Sequence, residues 1–177
     1  MQHTTQGMKE NPMRAIQIEK ITLNMGTSVS GDTLEKAMKL LQKITQNKPV
    51  ATKTKKRIPT WGVRPGLDIG AKVTVRGKKA KELLVRLFKA KDNVLSQKNF
   101  DSTGNVSFGI SEYLSVPGVE YDASIGIIGF EVAVTLMRPG FRIRRRAQKV
   151  RKIPLRHGIT PEEAKHFMQD AFKVMVK

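Results

Sequence analysis

A chain of 177 residues with 39% hydrophobic composition is long enough to bury one core and needs no covalent staple. Its 33 Lys+Arg against 15 Asp+Glu leave a formal charge of +18, which repels itself unless a polyanion neutralises it. Zero cysteines exclude a disulfide scaffold, a thiol nucleophile and a cysteine-ligated zinc site, and no apolar stretch approaches the ~20 residues of a membrane helix. The opening Met1-Gln2-His3-Thr4-Thr5 lacks the charged-then-apolar pattern of a secretory signal, so a soluble, cytoplasmic chain is expected.

Residues 14–25 read as a strand, with Ile16 and Ile18 in one phase and Ile21, Leu23 and Met25 in another. The slip at Glu19-Lys20 predicts a bulge or a change of face. After Gly26 and a small polar loop, Asp32 reads as an N-cap with Glu35 three residues on. Leu34, Ala37, Met38, Leu41 and Ile44 then repeat at helical spacing until Lys48-Pro49. A short strand over 50–55 leads into a loop punctuated by Pro59, Gly62, Pro65 and Gly66. Leu67, Ile69, Ala71, Val73 and Val75 alternate as a half-buried strand that Gly77 breaks. A second helix over 78–91 buries Ala80, Leu83, Leu84, Leu87 and Phe88.

In the second half, residues 105–110 predict a strand and a turn-rich stretch follows through Val116-Pro117-Gly118. Ile128, Phe130, Val132, Val134 and Leu136 alternate as the longest strand, stopped by Arg138-Pro139-Gly140. The run 142–152 has no decisive periodicity and is expected to take its order from a partner. Thr160-Pro161-Glu162-Glu163 is a full capping box, followed by an apolar stripe of Ala164, Phe167, Met168, Ala171, Phe172 and Met175. This order predicts an α+β fold, a two-layer sandwich whose mostly antiparallel sheet of about five strands carries helices on one face. A single domain over 1–177 is expected, with a flexible N-terminus (1–12), an extended loop (57–66) and a basic segment (138–156).

Charge is segregated along the chain. Residues 48–64, 72–91 and 138–156 hold 23 of the 33 cations and one acid, Glu82. A merely solubilising surface intersperses the two signs, whereas segregation on this scale is an electrostatic footprint for phosphates. If helices cover one face of the sheet, the other stays open. On the strand 67–76 the outward phase is Lys72, Thr74 and Arg76, and on the first strand it is Lys20, Thr22 and Asn24. Cations attract phosphate generally, while Thr and Asn bond phosphate, ribose hydroxyl or base edge at close range.

Catalytic patterns fail on inspection. The segment 26–31 has P-loop glycine spacing, but Asp32-Thr33 puts an acid where the phosphate-clamping lysine belongs. Gly126-Ile127-Ile128-Gly129 mimics the RNA-clamping GxxG loop, yet its middle residues are apolar and it runs into a strand, so strand or bulge is expected there. His3, His157 and His166 form no metal-binding array, and Asn105-Val106-Ser107 is a sequon without meaning in an intracellular chain. No enzyme, metal or cofactor is expected.

Five motifs stand in order along the chain: Ile21-Thr22-Leu23-Asn24-Met25-Gly26; Lys48-Pro49-Val50 with Thr52-Lys53; Ile69-Gly70-Ala71-Lys72-Val73-Thr74-Val75-Arg76-Gly77; Gly104-Asn105-Val106-Ser107-Phe108-Gly109-Ile110; and the strand ending in Arg138-Pro139-Gly140. In these the chain resembles, along nearly its whole length, the universal large-subunit ribosomal protein family that carries 5S rRNA, number five of its subunit. The short 112–122 connection and the tail after Pro139 are similar to archaeal or eukaryotic members. The resemblance implies hydrogen bonds to 5S rRNA from Asn24, Asn47 and Thr74, with Gln46 the alternative to Asn47. Lys20, Thr22, Lys53, Lys72 and Arg76 would surround them, and Arg142, Arg144, Arg145 and Arg146 would make other RNA contacts. It also implies that the loop 57–66 approaches P-site tRNA through Arg57, Trp61 and Arg64, Trp61 otherwise being a hydrophobic lid on the loop. Its implied partners are 5S rRNA, large-subunit rRNA, neighbouring proteins of the central protuberance and a small-subunit head protein across an intersubunit bridge, with no membrane. The alternative function is a non-ribosomal basic RNA chaperone or RNA-processing factor, which turnover on RNA would separate from a stoichiometric ribosomal component.

Overall fold

The first long strand, β1 (Gln17–Gly26), is the centre of the molecule in a computed structural model that describes residues 11–27 and 31–177. In chain order there follow α1 (Asp32–Thr45), β2 (Val50–Lys53), β3 (Asp68–Val75), α2 (Lys78–Lys89), β4 (Val94–Leu95), β5 (Val106–Ile110), β6 (Phe130–Met137), α3 (Pro161–Phe172) and β7 (Met175–Val176). Five strands form one sheet in the order β2-β3-β1-β6-β5, every neighbouring pair antiparallel. The expected α+β sandwich is therefore the fold observed.

Alternation decides which face is buried. Ile21, Leu23 and Met25 of β1 turn inward with Ala71, Val73 and Val75 of β3 and Val132, Val134 and Leu136 of β6. Against them pack Leu40, Leu41 and Ile44 of α1, Leu84, Leu87 and Phe88 of α2, and Ala164 and Met168 of α3, all in one hydrophobic cluster. Phe88 stacks on Phe108 of β5 and meets Phe172 edge-on, each at 5.5 Å, which ties α2 to the sheet and to the end of α3. α1, α2 and α3 thus share one layer.

The predicted irregularity in β1 is a bulge. Ile18 pairs with Leu136 and Lys20 with Thr135, leaving Glu19 as the extra residue. Several boundaries differ from expectation. β1, with ten residues, outlasts β6, with eight, because Ile128 belongs to the preceding loop and β6 starts at Phe130. Gly31, at φ 119°, takes the N-cap of α1, and Asp32 is the first helical residue, where its charge suits the positive helix end. α1 stops at Thr45 because Gln46 turns left-handed. β2 stops at Lys53, where the Thr54 hydroxyl turns to the Lys56 carbonyl. α3 ends at Phe172 with Lys173 left-handed. Met175 therefore leaves the stripe and lies exposed on β7, Ala171 is also exposed, and Val174 is the buried residue. β4 and β7 pair in parallel, an element the sequence reading missed because two-residue strands carry no periodicity. Gly126–Gly129 is neither strand nor bulge. It is a turn entering β6, with Gly126 at φ 76° and Ile127 exposed.

Residues 1–10 and 28–30, including His3 and the middle of the P-loop-like segment, lie outside the described residues. Among the described residues no helix is long and apolar enough to cross a membrane.

Candidate nucleic-acid interface

The strand registers assemble the open face in rows. Thr74, Thr22, Ala133 and Ser107 stand side by side across β3, β1, β6 and β5. The next row is Lys72, Asn24, Glu131 and Gly109, and Lys20 faces Thr135 beyond the bulge. Lys72 and Thr74 are exposed, while Lys20, Thr22 and Asn24 are half-buried between their neighbours. Five of the residues expected on one surface are brought together there. Among the described residues no helix covers them, since α1, α2 and α3 pack on the opposite layer.

Two shallow grooves meet at the second row, one of about 350 Å³ on the face and one of about 620 Å³ at the end of the sheet, where Met25, Lys91, Ile110 and Phe130 also line it; Asn24, Gly109 and Glu131 line both. The wall of the smaller is held by Asn99, whose amide donates to the Ser107 carbonyl at 2.6 Å and whose oxygen accepts from the Ser96 amide at 2.8 Å. Ser107, Gly109, Glu131, Ala133 and Thr135 were missed in the sequence. The outward phase of the 105–110 and 128–136 alternations would have found them.

Arg76 follows the end of β3 and is not simply a member of the open face. Its guanidinium lies 3.2 Å from Glu19, and Arg145 binds both oxygens of the same carboxylate. The bulge carries the Glu19 side chain to a buried position where two cations neutralise it. One predicted RNA contact on the sheet is thereby tied to one in the basic segment.

β2 and β3 continue beyond the sheet as a hairpin. The Thr54 amide donates to Leu67 O and the Gly66 amide to Thr54 O, both at 2.9 Å. Farther out Ile58 and Val63 exchange backbone bonds, and a 3-10 turn at Pro59–Trp61 closes on Gly62 at φ 65°. Arg57 and Arg64 are exposed on either side of buried Val63. The expected loop is therefore a short pinned hairpin tip. Lys53 is exposed at the end of β2. Asn47 is half-buried where α1 turns into β2, its amide donating to the Thr45 hydroxyl, and Gln46 beside it is exposed.

The basic segment divides into structural and exposed cations. Arg138 is buried, bonding Glu163 at 2.7 Å and the Gly158 carbonyl at 2.8 Å. Burial raises the Glu163 pKa, but bonds from the Thr160 amide and Arg138, with the charges of Arg138 and Arg14, leave it below its ordinary value. Part of the run expected to await a partner has its own contacts: Phe141–Arg144 forms a 3-10 turn, and the Phe141 ring meets His157 at 5.8 Å. Arg142 and Arg144 are exposed, and Arg146 bends back onto the Lys149 carbonyl. The cations of α2 form another surface, because Lys78, Lys79, Lys81 and Lys89 are exposed on the side away from the core. Among the described residues no group of His, Asp and Glu could hold a metal ion.

A helix-backed antiparallel sheet with a polar open face, flanked by cationic loops, has the make-up of an RNA-binding scaffold. Residues 11–64 match the family model for ribosomal protein L5, and residues 68–174 match the model for the C-terminus of the same family. β3 of the second segment lies between β1 and β2 of the first. The chain is 48% identical to the large ribosomal subunit protein uL5 of Sulfurisphaera tokodaii over 94% of each chain. It is 47% identical to that of Sulfolobus acidocaldarius over 95% of this chain and 94% of the relative, and 46% identical to that of Nitrosopumilus maritimus over 94% and 96%. The chain belongs to the ribosomal protein L5 family, whose members are structural, non-enzymatic components of the ribosome, and it is of the archaeal type.

Proposed function

We propose that the chain is a structural constituent of the large ribosomal subunit, working in the cytoplasm, and that it binds 5S rRNA on the open face of its sheet and fixes it into the central protuberance. The row of short hydrogen bonders, Thr74 beside Thr22, with Lys72 and Asn24 in the next row, carries this reading. Lysines draw in phosphate over a Debye length, and Thr and Asn bond only in contact, which suits a shaped RNA better than a random polyanion. The hairpin tip with Arg57, Trp61 and Arg64 is proposed to reach P-site tRNA. Lys53 and Asn47 extend the 5S rRNA surface. Arg142, Arg144 and Arg146, with the lysines of α2, face large-subunit rRNA. Contacts with neighbouring proteins of the protuberance and with a small-subunit head protein complete the set, and the chain acts as one RNA-binding domain.

Titration of the full chain against a 5S rRNA transcript of the Sulfolobus acidocaldarius type tests this. One protein should bind one RNA and leave it intact. If six or more phosphates are neutralised, affinity should fall about a thousandfold between roughly 50 and 200 mM salt. A flat salt response, or an RNA cut or turned over, contradicts the proposal.

A further inference from the structure

Among the described residues, the three rows set out above carry one anion. Glu131 lies in the same cross-strand row as Asn24 and Gly109, is exposed, and lines both grooves. Among the described residues its carboxylate takes no ion pair or side-chain hydrogen bond. That sets it apart from Glu19 and Glu163, each neutralised by arginine. A phosphate offers no hydrogen to a carboxylate and repels it, so toward the backbone of an RNA this residue is unfavourable.

Bases are different. Uracil offers one ring N–H, and adenine and cytosine one exocyclic amine each. Guanine alone presents two adjacent donors on its Watson–Crick edge, N1–H and N2–H, at the spacing of two carboxylate oxygens. Guanine O6 is next in line as an acceptor, and the Asn24 amide, beside Glu131 in the row, can donate to it. Gly109 completes the geometry. A Cβ there would meet nothing within 4 Å, so packing of the protein does not demand glycine, and the space above it is open to a flat ring.

We propose that Glu131 and Asn24 read the Watson–Crick edge of an unpaired guanine lying over Gly109, which makes Glu131 the specificity-determining residue of the face. This rests on the reading of that face as the RNA surface.

The sign of one measurement separates the two ideas. Glu131→Gln keeps shape and removes the charge. Affinity for the 5S rRNA transcript should fall about tenfold or more, since bonds to an ionised acceptor are lost. Lys72→Ala serves as the control for the face and should weaken binding too. If Lys72→Ala weakens binding while Glu131→Gln binds equally or more tightly, the guanine reading is overturned and the RNA face stands. If neither changes affinity, both fall. A second readout needs no assumption about the nucleotide: inosine, which lacks the N2 amine, is scattered through the transcript. One guanosine position should show interference with the parent protein and none with Glu131→Ala, and identical patterns for the two proteins overturn the proposal.

Discussion

Arg138 and Glu163 join the end of β6 to the first turn of α3 through a 2.7 Å bond from an almost fully buried guanidinium. The glutamate also closes the capping box by accepting from the Thr160 amide at 3.1 Å. One carboxylate therefore caps the helix and neutralises a buried arginine.

Glu163→Ala leaves that guanidinium buried without its counter-ion, at a cost of about 3 kcal/mol. In a chain of this length the melting temperature should drop by roughly 6–12 °C. The same pair sets an acid limb. Because the folded Glu163 pKa lies below its ordinary 4.5, its contribution is complete above that pH and disappears as pH falls through the lowered value. Asp101 acts in the same direction: burial raises its pKa, but bonds from Thr103 and Asn105 leave it below 3.8. Urea midpoints measured from pH 6 to pH 2 should decline below about 4.5 in the parent and less steeply in Glu163→Gln. Parallel curves for the two proteins would remove Glu163 from the account.

Glu19 predicts a second, local effect. The Arg145 and Arg146 amides both donate to the Arg142 carbonyl, and the Arg145 side chain is anchored to the sheet through Glu19. Glu19→Ala should speed hydrogen exchange at the amides of Ile143, Arg145 and Arg146 while leaving those of β3 protected. Unchanged exchange there means that Phe141 and His157 hold the turn without the ion pair.

Most of the sheet was legible because burial on one face imposes a period of two. Ile21, Leu23 and Met25 could be read as inward and Thr22 and Asn24 as outward from β1 alone. Even the bulge at Glu19 showed as a slip in phase. What sequence could not show is which cation meets which anion. Arg138 and Arg142 look alike in a basic run, yet one is core and the other solvated. Lys72 and Lys79 look alike in another, yet the sheet and helix send them to different surfaces. Pairing across 126 positions, as between Glu19 and Arg145, leaves no local signal.

The hairpin tip should be separable from 5S rRNA binding. Its strands are pinned by the Ile58–Val63 bridge, away from the rows of the open face. Trp61→Ala combined with Arg64→Ala should leave 5S rRNA affinity within about threefold, roughly 0.7 kcal/mol. Assembled into ribosomes, the same double variant should retain P-site tRNA less well. Loss of 5S rRNA binding with unchanged tRNA protection would reassign the tip to 5S rRNA.

The open face itself is tested most directly at Thr74, which faces Thr22 across β1 and β3, is exposed, and has no part in the core. The measurement is the affinity of Thr74→Ala for 5S rRNA, taken beside its melting temperature. Loss of one contact hydrogen bond predicts binding weaker by about 1 kcal/mol, roughly fivefold, with melting unchanged. Parental affinity together with an early melt would make Thr74 a structural residue and contradict the assignment of this face to RNA.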